Sequence, residues 1–99
     1  MREGDRSPWG KIQHVQTLGE GAWFVSTAGH GGIKLDRKRN AAIPSGARMA
    51  GGWYEEDCKC AIALYIHADI RAASTKPDAI VATIKAWESP RVQEALGVT

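Results

Sequence analysis

Apolar and polar positions alternate along the first third of the chain, a pattern typical of β-strands. The clearest segment is 22–27, where large or β-branched residues recur at every second position. The spacing in 11–18 would also fit a helix, but flanking glycines and β-branched residues favour a strand with a bulge. Residues 33–35 alternate again. Because short turns join these segments, we expect a three-stranded antiparallel meander.

The remaining chain has the periodicity of helices. Asp36 can cap one or two helical turns that end before Pro44. The longest helical pattern covers 55–71, with acidic residues in its first turn and apolar residues at three- and four-residue steps. A helix over 77–87 and a last one from Pro90 each have proline near the start. The sequence therefore predicts an α+β fold: a meander followed by two or three helices packed on one sheet face.

Length and composition indicate one domain over 1–99. A chain of 99 residues can bury its own core. Residues 1–7 are expected to form a flexible tail because they are charged and contain glycine. They also lack the apolar segment of a secretion signal. No apolar run has the length of a membrane span. Cys58 and Cys60 are too close for an unstrained disulfide, so we expect reduced thiols and a cytoplasmic protein.

Charge is distributed unevenly, although the net charge of +2 is too small to indicate nucleic-acid binding by itself. A basic run over 34–48 is followed by an acidic run over 55–57. Two solvated faces would explain both runs. The alternative is a dipolar surface that docks a charged partner, with aromatic anchors beside the acidic run. Its candidate contact residues are Lys34, Arg37, Lys38, Arg39, Trp53, Tyr54, Glu55, Glu56 and Asp57.

A glycine-rich turn, Gly29, His30, Gly31 and Gly32, is predicted between the second and third strands. Glycines permit positive φ, and successive N–H groups in such a turn can bind an anion or another ligand. A tight hairpin turn with an exposed histidine explains the same residues. An enzyme centred on His30 would need the carboxylates of 55–57 within hydrogen-bond reach.

The spacing of reactive residues matches neither a catalytic triad nor a structural metal site. No Ser-His-Asp or Cys-His arrangement is indicated. One Cys-x-Cys pair without a second ligand pair does not fit a structural zinc site. We therefore expect no enzymatic activity, no cofactor and no metal. Nucleic-acid binding through the basic run 34–48 stays an alternative but is less favoured, because that run has no interleaved aromatic residues.

Four segments carry a family resemblance. They are Pro-Trp-Gly at 8–10, Val-Ser-Thr-Ala-Gly-His-Gly-Gly-Ile-Lys-Leu at 25–35, Arg-Asn-Ala-Ala-Ile-Pro at 39–44 and Gly-Trp-Tyr-Glu-Glu-Asp-Cys at 52–58. In this order they resemble a domain of unknown function found in proteins of phages, plasmids and other mobile elements of Proteobacteria. The chain departs from that domain at Lys59 and Cys60, where an acidic and then an aromatic residue are common.

The resemblance implies a mobile-element origin and no known activity. A stand-alone copy of this size is similar to small phage proteins that inhibit host defence, such as anti-CRISPR proteins, which mostly act by occluding a surface of an effector complex. The hypothesis is a protein that binds and inhibits a host defence complex, for example a CRISPR-Cas effector, by stoichiometric protein–protein interaction in the bacterial cytoplasm. No membrane partner is expected, and the sequence does not indicate an oligomeric state.

Overall fold

The structure is a computed structural model that describes residues 1–72 and 75–98. Its fold combines antiparallel strands with helices, which confirms the predicted α+β class. The elements in chain order are β1 (Arg6–Ser7), β2 (Gly10–Lys11), β3 (His14–Gly19), β4 (Ala22–Ser26), β5 (Gly31–Leu35), α1 (Arg37–Ala41), β6 (Trp53–Glu55), α2 (Cys60–Ile66), α3 (Pro77–Trp87) and α4 (Pro90–Leu96). Short 3-10 turns occupy Ala50–Gly52 and Ala68–Ile70.

Four strands form the main antiparallel sheet, in the order β3-β4-β5-β6. The three predicted strands correspond to β3, β4 and β5, and β3 contains the expected bulge between Thr17 and Gly19. The prediction is incomplete, because β6 adds a fourth strand that pairs with β5 in the register Lys34–Trp53 and Gly32–Glu55. Strands β3 and β6 are therefore the edges of this sheet.

The core lies between one face of the sheet and the helices. Ile33 and Leu35 of β5 and Tyr54 of β6 are buried on this face, together with Ala22 of β4. The helices α2, α3 and α4 contribute Ile62, Ile80, Ile84 and Leu96 to the same cluster. Since side chains alternate along a strand, the residues between these core positions point to the opposite face.

The N-terminal residues cover part of that opposite face. Strands β1 and β2 pair as a hairpin, and Gly4 donates its N–H to the carbonyl of Ile12 over 2.9 Å. Residues 6 and 7 of the predicted flexible tail 1–7 therefore form a paired strand. Ile12 and Val25 are buried outside the main core cluster, in agreement with a smaller apolar layer on this side of the sheet.

The predicted long helix over 55–71 is wrong at its start. Glu55 ends strand β6, residues 56–59 form a turn, and α2 begins at Cys60. Pairing with β5 buries Tyr54, which outweighs the helical preference of the acidic residues after it. The described residues contain four α-helices rather than two or three. Within the same residues, no helix combines the length and apolar character needed to cross a bilayer.

Candidate functional site

The face of the sheet opposite the core carries an unusual group of side chains. Alternation places Gly32, Lys34, Trp53 and Glu55 on this face. Trp9 approaches Gly32 and packs edge-on against Trp53, with ring centroids 5.6 Å apart and an angle of 83° between the rings. Both indoles are partly exposed. We call these five residues the tryptophan face.

Lys34 is held at one end of the tryptophan face. Its ammonium lies 4.7 Å from the centre of the Trp53 ring, a cation–π geometry, and donates a hydrogen bond to the carbonyl of Gly51. Burial lowers the pKa of Lys34, and the nearby Asp36 carboxylate opposes that effect. The cation is therefore fixed in place instead of extending into solvent.

His30 and Glu55 meet at the other end. The His30 Nδ1 atom is 3.6 Å from Glu55 Oε1, and the two side chains are 58% and 39% exposed. This distance exceeds the roughly 2.6–3.2 Å of a hydrogen bond but requires only a small side-chain adjustment to close. The predicted histidine and the first residue of the acidic run therefore converge. Glu56 and Asp57 are exposed in the turn after β6.

The glycine-rich segment differs from the predicted turn. Gly31 and Gly32 belong to strand β5, and none of Gly29, Gly31 and Gly32 has positive φ. An anion-binding nest, one of the two alternatives for this segment, would need such a conformation. Space is the reason for glycine at position 32: a Cβ there would lie 2.4 Å from the Tyr54 carbonyl oxygen and 2.5 Å from the Trp9 ring.

Tyr54 is not a surface anchor. Its side chain is fully buried, because position 54 faces the core. The hydroxyl donates to Asn40 Oδ1 over 2.6 Å and accepts the N–H of Met49 over 3.1 Å. Desolvation raises the pKa of Tyr54. Tyr54 therefore links β6 to α1. It is not available as the partner contact that the sequence predicted.

Arg39 is also engaged within the molecule. Its guanidinium makes a bidentate pair with Asp69, at 2.7 and 3.0 Å, and its Nε donates to the Glu20 carbonyl over 2.6 Å. His67 contacts the same residue twice, with Nδ1 3.3 Å from the guanidinium and Nε2 2.8 Å from the Arg39 carbonyl. Arg39 therefore ties α1 to the β3–β4 turn and to Ala68–Ile70, so the guanidinium predicted as a partner contact is already paired within the molecule.

The other charged candidates lie at or just beyond opposite ends of β5 and β6, and all are exposed except Glu55, which is partly exposed. Arg37 and Lys38 follow the end of β5, whereas Glu55, Glu56 and Asp57 lie where β5 begins. The four residue steps of β5 separate these ends by about 13 Å. The tryptophan face lies between them.

A buried ion pair was not predicted from the sequence. The Glu88 side chain is only 3% exposed, and its Oε1 accepts a hydrogen bond from Lys59 Nζ over 2.6 Å. Its Oε2 has no hydrogen-bond partner among the described residues. Desolvation and the neighbouring Glu88 raise the pKa of the Cys58 thiol. No local sequence pattern predicts this ion pair, because Lys59 and Glu88 are far apart in sequence.

The described segments 1–72 and 75–98 contain no group of three or more His, Cys, Asp or Glu side chains placed to hold a metal ion. The tryptophan face presents two partly exposed aromatic rings, with cations at one end and carboxylates at the other.

Comparison with known proteins gives one finding. The model of the family DUF7007, described as a domain of unknown function, matches residues 2–99. Neither the comparison with curated proteins nor that with solved structures yields a match. Since the match covers nearly the whole sequence, the chain belongs to the DUF7007 family, a domain of unknown function.

Proposed function

We propose that this protein is a stoichiometric binding protein that occludes a surface of a larger host complex through its tryptophan face and the charged ends beside it. The observation that carries the proposal is the placement of two partly exposed indoles on a sheet face whose ends, about 13 Å apart along β5, are bordered by opposite charges.

This arrangement has the features of a protein-binding surface. Tryptophan is enriched among the residues that contribute most to binding, and charged groups at the rim steer the encounter. The Trp9 and Trp53 rings are already packed on each other, and Trp9 also lies against Gly32. Little side-chain freedom therefore remains to be lost on association.

The identity of the target is proposed from the resemblance to mobile-element domains. A small protein of that origin with a dipolar binding face is suited to block a host defence complex, and a CRISPR-Cas effector is the first class to examine. The proposal requires no turnover, cofactor or metal.

The test is capture of the target from a host lysate by immobilised variants. The wild-type protein should retain one host complex, and Trp53→Ala should lose it. Trp87→Ala is the matched control, because Trp87 is 73% exposed on α3 and is not part of the tryptophan face. If Trp53→Ala and Trp87→Ala retain the same proteins as the wild type, the proposed face is wrong.

A second candidate function, a small enzyme with a His30–Glu55 acid–base pair, is favoured by the 3.6 Å separation of the two side chains. The two functions differ in stoichiometry. A binding protein inhibits its target only up to a fixed molar ratio and tolerates His30→Gln. An enzyme acts substoichiometrically and loses that activity in His30→Gln, while Arg91→Gln on α4 serves as the control for a neutralised surface charge.

Nucleic-acid binding through 34–48 has weaker geometric support. Arg39 is paired with Asp69, and Arg48 donates to the carbonyls of Ile43 and Ala41. Fewer cations of the run therefore extend freely to solvent than the sequence suggests. A steep loss of binding to oligonucleotides with rising salt would favour this function over the proposed one.

A further inference from the structure

A cleft of about 370 Å³ opens beside α1, at the basic end of the tryptophan face. Three cationic side chains and one carboxylate line it, so its net charge is +2. These residues are Lys34, Arg37, Arg48 and Asp36, and Asn40 and Gly51 complete the wall. This volume lies within the range of about 300–1,000 Å³ that small-molecule sites occupy.

Two of the cations are held in position by the fold. Lys34 is fixed by the Gly51 carbonyl and the Trp53 ring. Arg48 donates from Nε to the Ile43 carbonyl over 3.0 Å and from Nη2 to the Ala41 carbonyl over 3.1 Å. A ligand would therefore meet cations that need little reorganisation.

The third cation, Arg37, is exposed at the first position of α1 and borders the same cleft. Its planar guanidinium can bind two oxygens of one anion at once. Arg37 supplies the adaptable contact in a site whose other two cations are fixed.

The single carboxylate of the cleft is already engaged. Asp36 Oδ1 accepts the N–H of Arg39 over 2.8 Å and caps α1. Burial lowers the pKa of Lys34 despite this carboxylate, which indicates that the cleft does not fully compensate its ammonium. A bound anion would supply the missing compensation.

We propose that this cleft is a binding site for a phosphate monoester group. Such a group carries a charge of about −1.5 to −2 at neutral pH and three strong acceptor oxygens, which match the net charge and the three cationic side chains. The remaining volume can hold the organic part of a small phosphorylated molecule. The proposal does not depend on the proposed function.

The experiment titrates the isotope-labelled whole protein with inorganic phosphate at constant ionic strength and follows its NMR signals. Saturable chemical-shift changes are expected for the backbone amides of Arg37 and Gly51. The indole N–H signal of Trp53 should also shift, because the Trp53 ring packs against Lys34. Lys34→Gln and Arg37→Gln should each weaken binding about tenfold, the effect of removing one charged hydrogen-bond donor. Lys38→Gln should change it less than about twofold, because Lys38 lines a different cleft with Glu20 and His67.

Titrations with two further ligands distinguish the ligand class. O-phosphoserine should shift the same signals as inorganic phosphate, whereas acetate at the same ionic strength should not saturate them. Non-saturating shifts with phosphate would overturn the proposal. So would an equal loss of binding in Lys38→Gln, which would indicate diffuse attraction, or equal binding of acetate, which would indicate a general carboxylate site.

Discussion

Replacing Gly32 by alanine is expected to destabilise the protein and disturb the tryptophan face. A Cβ at this position would lie 2.4 Å from the Tyr54 carbonyl oxygen, 2.5 Å from the Trp9 ring and 3.0 Å from Glu55 Cα. Favourable contacts between carbon atoms lie near 3.5–4.0 Å, so Trp9 and the β6 backbone must each move by about 1 Å.

The loss of stability in Gly32→Ala depends on which neighbouring atoms have to move. Overpacking by one carbon typically lowers the free energy of unfolding by about 1–3 kcal/mol. Two of the three nearest atoms belong to the backbone of β6, which is paired with β5 and cannot rotate away. We therefore expect Gly32→Ala to lose about 2–3 kcal/mol, in the upper half of that range.

Urea unfolding followed by circular dichroism measures this loss. Gly29→Ala is the matched control, because a Cβ at Gly29 meets nothing within 4 Å and Gly29 has no positive φ. That variant should be neutral or gain up to about 1 kcal/mol from the reduced freedom of the unfolded chain. The reasoning is refuted if Gly32→Ala is as stable as the wild type, or if Gly29→Ala loses as much as Gly32→Ala.

Three further variants test other contacts by the same unfolding assay. Lys59→Met should lower the free energy of unfolding by about 3 kcal/mol, because it leaves the buried Glu88 carboxylate unpaired. The double variant Lys59→Met/Glu88→Met should recover most of that loss, and no recovery would contradict the ion-pair explanation. Tyr54→Phe should cost about 1–3 kcal/mol, since the buried hydroxyl makes two hydrogen bonds, and an unchanged stability would argue against them. The hydrogen bond from Arg39 lowers the pKa of Asp69, so this pair stabilises the protein above the ordinary carboxylate pKa and less as pH falls through the lowered one. Asp69→Asn should therefore be less stable than the wild type at neutral pH and lose less stability on acidification to about pH 3, and parallel pH profiles would contradict this sign.

The elements that the sequence predicts well carry local signals. Asp36 caps α1, as expected from its position before the helical pattern. Ser89 caps α4 by accepting the N–H of Val92, and Gly97 ends that helix with a φ of 74°. Each of these signals acts within a few residues, so reading neighbours along the chain is sufficient.

The errors concern residues whose state depends on distant partners. Glu55 continues a strand because β5 pairs with β6, although the acidic residues around it favour a helix start. Arg39 is paired with Asp69, which is thirty positions away. The sequence shows which residues are charged, but it does not show which of them form ion pairs within the folded protein.

The candidate site could be predicted from the sequence only where its residues do not depend on distant partners. The sequence separates a basic from an acidic run, and the structure places exposed members of both at opposite ends of two strands. Burial of Tyr54 and the close approach of Trp9 to Gly32 arise from the alternation and pairing of β5 and β6, and no motif encodes them.

The most direct test of the proposed function is the association rate constant of the captured host complex with wild-type and charge-reversed protein. The double variant Arg37→Glu/Lys38→Glu should associate about tenfold more slowly at low salt and dissociate at nearly the wild-type rate, because rim charges act mainly on the encounter. The control is Arg91→Glu on α4, which is exposed outside the tryptophan face and its charged ends and should keep the wild-type rate. Equal association rates for the double variant and the wild type would contradict the account.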